Sequence, residues 1–157
     1  MQEMFVGSGV LGLRPPVPDP YDSSHLTMEL SHSQLSAFGQ FASVSPQQVW
    51  DGVVVRAVHG ERVTLGLVEL APNSVVPEHS HANEQMGVLV KGSFRSFRVG
   101  DESREIRPGD TWRILGGVPH EVETGPDGAL VVELWSPPRE DWEQFKREEP
   151  RPTGWPD

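Results

Sequence analysis

The chain contains no cysteine, and this absence excludes two classes of site. Without cysteine there can be no disulfide framework and no thiolate metal site. A metal site in this chain must therefore use imidazole, carboxylate, amide or backbone oxygen ligands.

Basic residues are also scarce, with 13 Lys and Arg against 23 Asp and Glu and a formal net charge of -10. Nucleic acids and anionic membranes both require a basic surface, so we expect neither as a partner. No apolar run approaches the length of a transmembrane span, and residues 1–5 lack the basic region of a signal peptide. At 157 residues the chain fits one domain, which we expect to be located in the cytoplasm.

The first 45 residues differ in composition from the rest. Residues 14–20 contain four prolines and favour an extended connector. Apolar residues recur loosely at helical spacing between Leu26 and Phe41, which favours a short helix. We interpret residues 1–45 as an N-terminal extension that packs on the domain or on a second subunit.

From residue 46 the sequence consists of short β-rich segments separated by turn residues. The strand candidates are residues 53–58, 62–70, 75–76, 85–91, 94–99, 103–106, 111–115 and 129–135. Because no convincing helix interrupts them, we predict an antiparallel sandwich or small barrel over residues 46–141. Residues 142–157 form a tail, with a short helix around Trp142 and Phe145.

The segment 86–90 is apolar at every position but Gly87. One face of such a strand can line a barrel, and the other face then requires a cover. A second copy of the chain is the simplest cover, so we predict a homodimer.

The histidines of the central region have the spacing of metal ligands. His79 and His81 stand at i and i+2, which places them on one face of a strand. Gln85 and His120 follow from later strands and could close around the same divalent metal.

These residues resemble the two sequence motifs of the cupins, which are small β-barrels. The first motif extends from residue 73 to Gly92 and the second from residue 108 to His120. The resemblance covers residues 46–141 and implies an all-β, antiparallel cupin β-barrel of the jelly-roll type, with an N-terminal extension and a short C-terminal helix.

In cupins the metal is held by two histidines of the first motif, an acid a few residues later and the histidine of the second motif. Carried onto this chain, the ligands are His79, His81, Gln85 and His120. At the position of the acid this chain has Gln85. The neighbouring Glu84 does not replace the acid, because on a strand it would point away from the ligand face.

Three imidazoles and an amide leave the charge of a metal ion uncompensated. Such a site is a strong Lewis acid and attracts anionic oxygen, so we expect a small anionic substrate. Nitrogen and oxygen donors suit one divalent Zn, Ni, Fe, Mn or Cu per chain, and the ligand set does not choose among them.

The last strand resembles that of small cupins involved in uronate ketonization in pectin and alginate breakdown. The resemblance makes Glu133 a candidate general acid/base, Trp135 a pocket wall and Arg139 a clamp for a substrate carboxylate. The alternatives are a solvent-facing Glu133, a Trp135 that only packs, and an Arg139 paired with Glu140 or Asp141. Glutamate and tryptophan replace the smaller residues that are usual there, which puts the uronate substrate in doubt.

Arg56, Arg95 and Arg98 lie on predicted strands and could reach an anionic ligand if their faces point inward, but we expect them on the surface. His25, His32 and His59 fall outside the two motifs, and we expect them to be ordinary polar residues.

Three functions are compatible with this sequence. The first is a metal-dependent enzyme with isomerase, cyclase or lyase chemistry on a carboxylate- or enol-bearing substrate. The second is an Fe(II) or Mn(II) dioxygenase, and the third is a non-catalytic, metal-dependent ligand-binding domain. We favour the first.

Overall fold

A computed structural model describes residues 38–155. The predicted helix between Leu26 and Phe41 lies largely outside these residues, as does most of the predicted N-terminal extension. The described strands are β1 Gln47–Trp50, β2 Val53–His59, β3 Thr64–Leu70, β4 Val75–His79, β5 Glu84–Val99, β6 Glu102–Ile106, β7 Thr111–Ile114 and β8 His120–Ser136.

The strands form one antiparallel sheet with the order β1-β2-β3-β8-β5-β6. Strand β4 pairs with β8, and β7 pairs with β5. The prediction of an antiparallel all-β fold is confirmed. The hydrogen-bonded sheet is not closed, however, because no pairing joins β1 to β6 within residues 38–155. No helix of the described chain is long and apolar enough to cross a membrane.

Strands β5 and β8 are longer than the sequence indicates, with 16 and 17 residues. The sequence predicted breaks at Gly92 and at Gly128, and both predictions are wrong. Both glycines have positive φ, of 82° and 71°, and the pairing continues past them with a shift of register. A Cβ on Gly92 would lie 2.1 Å from the carbonyl oxygen of Gly128, so the two strands approach closely at a point that only glycine permits.

The long strands carry the interior and the candidate site together. On β8, Val131, Glu133 and Trp135 alternate with outward-facing residues and are all buried. The apolar core comprises Val53, Val55, Val68, Leu70, Val76, Leu89, Phe94, Phe97, Ile106, Ile114, Val122, Ala129, Val131, Trp135 and Trp142.

The C-terminal tail covers part of the outer face of β2 and β3. Arg56 is fully buried there, pairs with Glu69, and donates to the carbonyl oxygens of Arg151 and Pro152 at 3.2 and 3.4 Å. The expectation that Arg56 lies on the surface is therefore wrong, since the tail encloses it.

Arg95 and Arg98 are on the surface, as predicted. They pair with Glu123 at 3.0 Å and with Glu121 at 2.9 Å.

The segment after β8 forms a short 3-10 helix, Glu140–Gln144, as predicted for this region. Trp142 is its buried residue, and Gln47 donates its amide to the Trp142 carbonyl oxygen at 3.2 Å. This contact holds the helix against β1.

Candidate metal centre

The structure brings the three histidines of the motifs together. His79 at the end of β4 pairs directly with His120 at the start of β8. His81 lies two residues beyond β4 and not on the strand, which corrects the expectation of a shared strand face. One ring nitrogen of each histidine lies within 4.8 Å of the others. The residues therefore converge although they come from different elements.

Backbone contacts orient the three rings in the same way. Each ring places Nδ1 2.9 Å from a backbone carbonyl oxygen two residues away. A carbonyl oxygen only accepts hydrogen bonds, so each Nδ1 carries a proton and each Nε2 carries a lone pair. Burial lowers the pKa of all three imidazoles, and that of His120 to about 4. They are neutral at pH 7, in the form that binds metal.

Gln85 faces this cluster with its oxygen. Its Oε1 lies 2.9 Å from Nε2 of His81, because its amide nitrogen is engaged in a hydrogen bond to Glu133. Two acceptor atoms therefore face each other, and a cation between them removes the conflict. The buried Nε2 of His120 has no hydrogen-bond partner in residues 38–155. The donor set thus fits a divalent metal, and its atoms are the types that such an ion prefers.

Glu133 is buried beside the histidines, which excludes the solvent-facing alternative. Its Oε1 accepts hydrogen bonds from Gln85 and, at 3.0 Å, from the indole N–H of Trp112. Burial raises the pKa of this carboxyl to about 7 in spite of these bonds. Gly87 makes the second contact possible, because a Cβ there would lie 2.4 Å from the Trp112 ring.

Arg139 lies between two tryptophan rings at the edge of the site. Its guanidinium carbon is 5.9 Å from the ring centre of Trp135 and 4.3 Å from that of Trp142. Its Nε and Nη2 each donate to a carboxylate oxygen of Asp141 at 2.8 Å, so the alternative pairing with Asp141 is the one observed. These bonds also lower the pKa of Asp141. The positive charge of Arg139 contributes to the lowered pKa of His79.

These groups surround one cavity of about 60 Å³. Its polar lining is His79, Gln85, His120, Glu133 and Arg139, and most of its remaining wall is aliphatic or aromatic. Trp135 is part of this wall and is buried, with 3% of its surface exposed.

Four residues of the site have no role in the sequence interpretation. The ring centre of Trp50 lies 4.7 Å from that of His79, with the two rings tilted. Trp112 donates a hydrogen bond to Glu133, and the ring of Trp142 lies against the guanidinium of Arg139. Asn83 supplies the carbonyl oxygen that orients His81, and its amide donates to the carbonyl oxygens of the loop before Arg139. Of these four residues, only Trp112 could have been found from the sequence. It alternates with Ile114 on one face of a strand whose other face is exposed.

Of the other histidines, His59 is the last residue of β2, with Nδ1 2.9 Å from the Thr64 hydroxyl oxygen. His25 and His32 lie outside the described residues.

Comparison with known proteins identifies the domain. A family model described as "Cupin domain" matches residues 66–136. This part of the chain is similar to cupin domains in sequence, and its antiparallel β fold is cupin-like. No curated protein matches the sequence.

Solved structures agree with the cupin assignment. KdgF from Halomonas sp. superimposes with a TM-score of 0.63 at 25% identity, over 68% of this chain and 98% of that one. An RmlC-like cupin from Shewanella frigidimarina gives 0.63 at 19% identity, over 69% and 96%. Oxalate decarboxylase from Bacillus subtilis gives 0.58 at 20%, over 70% of this chain and 32% of that one. The last two show the fold alone, and the first extends the resemblance to KdgF.

Proposed function

We propose that the cupin domain binds one divalent transition metal through His79, His81 and His120, with the Gln85 oxygen as fourth ligand. The convergent lone pairs and the unpartnered Nε2 of His120 support this proposal. The metal would polarise a carbonyl or enolate oxygen of a bound substrate.

We further propose that the domain is an enzyme for a small carboxylate- or enol-bearing substrate, with isomerase, cyclase or lyase chemistry. The observation that carries this proposal is the position of Glu133, a buried carboxyl on the wall of the cavity that His79 and His120 also line. Its Oε1 is held by Gln85 and Trp112, which leaves Oε2 to move a proton on the substrate. Arg139 would hold the substrate carboxylate. The resemblance to the uronate-ketonizing cupins supports the same roles.

The metal site is tested by inductively coupled plasma mass spectrometry on tag-free protein. We expect near-stoichiometric metal in the wild type and little in His120→Ala. The matched control is His59→Ala, which removes a histidine outside the cluster and should keep its metal. Absence of metal from the wild type, even after reloading, contradicts the site.

The acid/base role is tested with the metal-loaded protein and a panel of 2-oxo acids, enol acids and unsaturated uronates, followed by proton NMR. Glu133→Gln should keep its metal and lose turnover, whereas His120→Ala should lose both. Turnover at the wild-type rate in Glu133→Gln contradicts the assignment. Oxygen consumption by an Fe- or Mn-loaded sample would instead favour the dioxygenase alternative. Ligand binding without turnover would favour the non-catalytic binding domain.

We also propose that the protein is a homodimer. On the outer face of β5 and β8, Met86 and Leu134 are 49% and 41% exposed, and they border an apolar groove. Light scattering should give twice the mass of one chain at micromolar concentration, and Leu134→Lys should shift the protein toward monomer. A clean wild-type monomer contradicts this proposal. The cytoplasmic location stays a prediction.

A further inference from the structure

We propose that the indole N–H of Trp135 is a hydrogen-bond donor for the ligand, and that the ligand is a compact carboxylate of about three to five non-hydrogen atoms. Trp135 then determines specificity and is more than a wall of the cavity. The inference rests on the proposed function, since it assigns the substrate class of the same cavity.

The first support is an unsatisfied donor. Trp135 is 3% exposed, and its Nε1 has no acceptor within residues 38–155. Buried donors are nearly always paired, so this one points to an acceptor that another molecule supplies. Trp112 shows the contrast, because its indole N–H is engaged by Glu133 at 3.0 Å.

The second support is the direction of the indole ring. A Cβ on Gly66 would lie 2.7 Å from Cζ3 of Trp135 and 3.2 Å from its Cη2. The benzene edge of the indole therefore lies against β3, and the pyrrole edge with Nε1 is directed away from that strand. Trp135 is on the inward face of β8 and lines the cavity. The unpaired donor thus belongs to a ring that forms part of the cavity wall.

The third support is the charge beside the donor. The Arg139 guanidinium carbon lies 5.9 Å from the Trp135 ring centre, and Arg139 lines the same cavity. Its bonds to Asp141 use Nε and Nη2, so Nη1 remains for another acceptor. A donor and a cation side by side recognise an anionic oxygen, and a carboxylate supplies two such oxygens.

The size of the cavity limits the ligand. A cavity of about 150 Å³ holds benzene, a ring of six non-hydrogen atoms. The cavity of this cupin domain has about 60 Å³, less than half of that volume. From this volume we expect the cavity to exclude a ring-sized sugar acid and to admit formate, acetate and glycolate.

The test uses ¹⁵N-tryptophan-labelled, Zn²⁺-loaded full-length protein titrated with acetate and with glycolate. The Trp135 indole cross-peak, identified by its absence from Trp135→Phe, should shift saturably, and that of the exposed Trp155 should not. By calorimetry, Trp135→Phe should weaken binding about tenfold or more, because a donor to a charged group is lost. The matched control is Trp155→Phe, which alters an exposed tryptophan outside the cavity and should change the affinity less than about threefold.

The outcomes separate the inference from the proposed function. Zinc content is measured on the same samples, and a protein that does not retain zinc contradicts the proposed function. If zinc is retained, the inference is overturned by a Trp135 cross-peak that stays in place or by equal binding of galacturonate and glycolate. Absence of carboxylate binding overturns it as well. If Trp135→Phe does not fold, 3-benzothienylalanine at position 135 removes the N–H at nearly the same ring size.

Discussion

At the scale of single residues, the side chain of His120 is buried and is also a proposed metal ligand. Its ring is 2% exposed, and its Nε2 has no partner in the described part of the chain. Burial lowers its pKa from 6.5 to about 4, with smaller opposing and reinforcing effects from its neighbours. The native metal-free protein thus holds a neutral imidazole over a range in which the unfolded chain is protonated.

The first prediction concerns this pH range. In the presence of a chelator, the free energy of unfolding should fall as the pH is lowered from about 6.5 to about 4, because the unfolded state binds more protons than the native state. The loss should be on the order of 3 kcal/mol for His120. Urea unfolding followed by circular dichroism at pH 7 and pH 4 measures it.

The control for this prediction is His120→Gln, which removes the titrating group and keeps a polar side chain. It should show a weaker dependence on pH than the wild type. An equal dependence in both proteins would assign the effect to other groups.

At the scale of secondary structure elements, the two long strands β5 and β8 carry residues of both the hydrophobic core and the candidate site. Strand β8 carries His120 at its first residue and Glu133 and Trp135 near its last, and β5 carries Gln85 at its second residue, hydrogen-bonded to Glu133. Both strands continue past a glycine of positive φ, where they approach each other closely. The geometry of the site therefore depends on this point of contact.

The second prediction compares two glycines with similar φ. Gly92 and Gly109 have φ of 82° and 94°, but a Cβ would clash with the Gly128 backbone only at Gly92. Gly92→Ala should cost about 3 kcal/mol or more of unfolding free energy, from backbone strain and the clash together. Gly109→Ala should cost about 1–2 kcal/mol from strain alone.

Denaturant unfolding of both variants measures the difference. Equal losses for Gly92→Ala and Gly109→Ala would show that the close approach of β5 and β8 contributes nothing.

At the scale of the whole molecule, the C-terminal tail is hydrogen-bonded to an ion pair that joins β2 and β3. Arg56 is fully buried and Glu69 is 22% exposed, and Glu69 also accepts the backbone N–H of Gly154 at 3.0 Å. Glu69→Ala should cost about 2–3 kcal/mol, because it leaves the Arg56 charge buried without its partner. Urea unfolding gives the loss, and hydrogen exchange at Gly154 should become faster.

The matched control is Glu102→Ala, which breaks a pair with Arg104 in which both side chains are more than 70% exposed. It should cost less than about 1 kcal/mol. A loss of similar size in both variants would contradict the structural role of the tail.

The sequence by itself determined the strand segments and the residues of the histidine cluster. Alternating apolar positions and turn residues predict strands because side chains alternate between the two faces of a sheet. The spacing of His79, His81 and His120 with Gln85 identified the side chains that the structure brings together. The alternation of apolar residues is a local pattern, and the spacing of the histidines belongs to a motif. Both can therefore be recognised in a single sequence.

Only the tertiary structure decided how the strands continue and what surrounds the cluster. The sequence predicts that a strand ends before Gly92. In the structure Gly92 continues the strand because it pairs with Ala129, which lies 37 residues further along the chain. Arg56 is buried by a tail from the other end of the domain, and Glu133 is held by Trp112 only because Gly87 leaves room for the ring. Burial, hydrogen bonding and the pKa of a carboxyl depend on these distant contacts, which no local pattern of residues encodes.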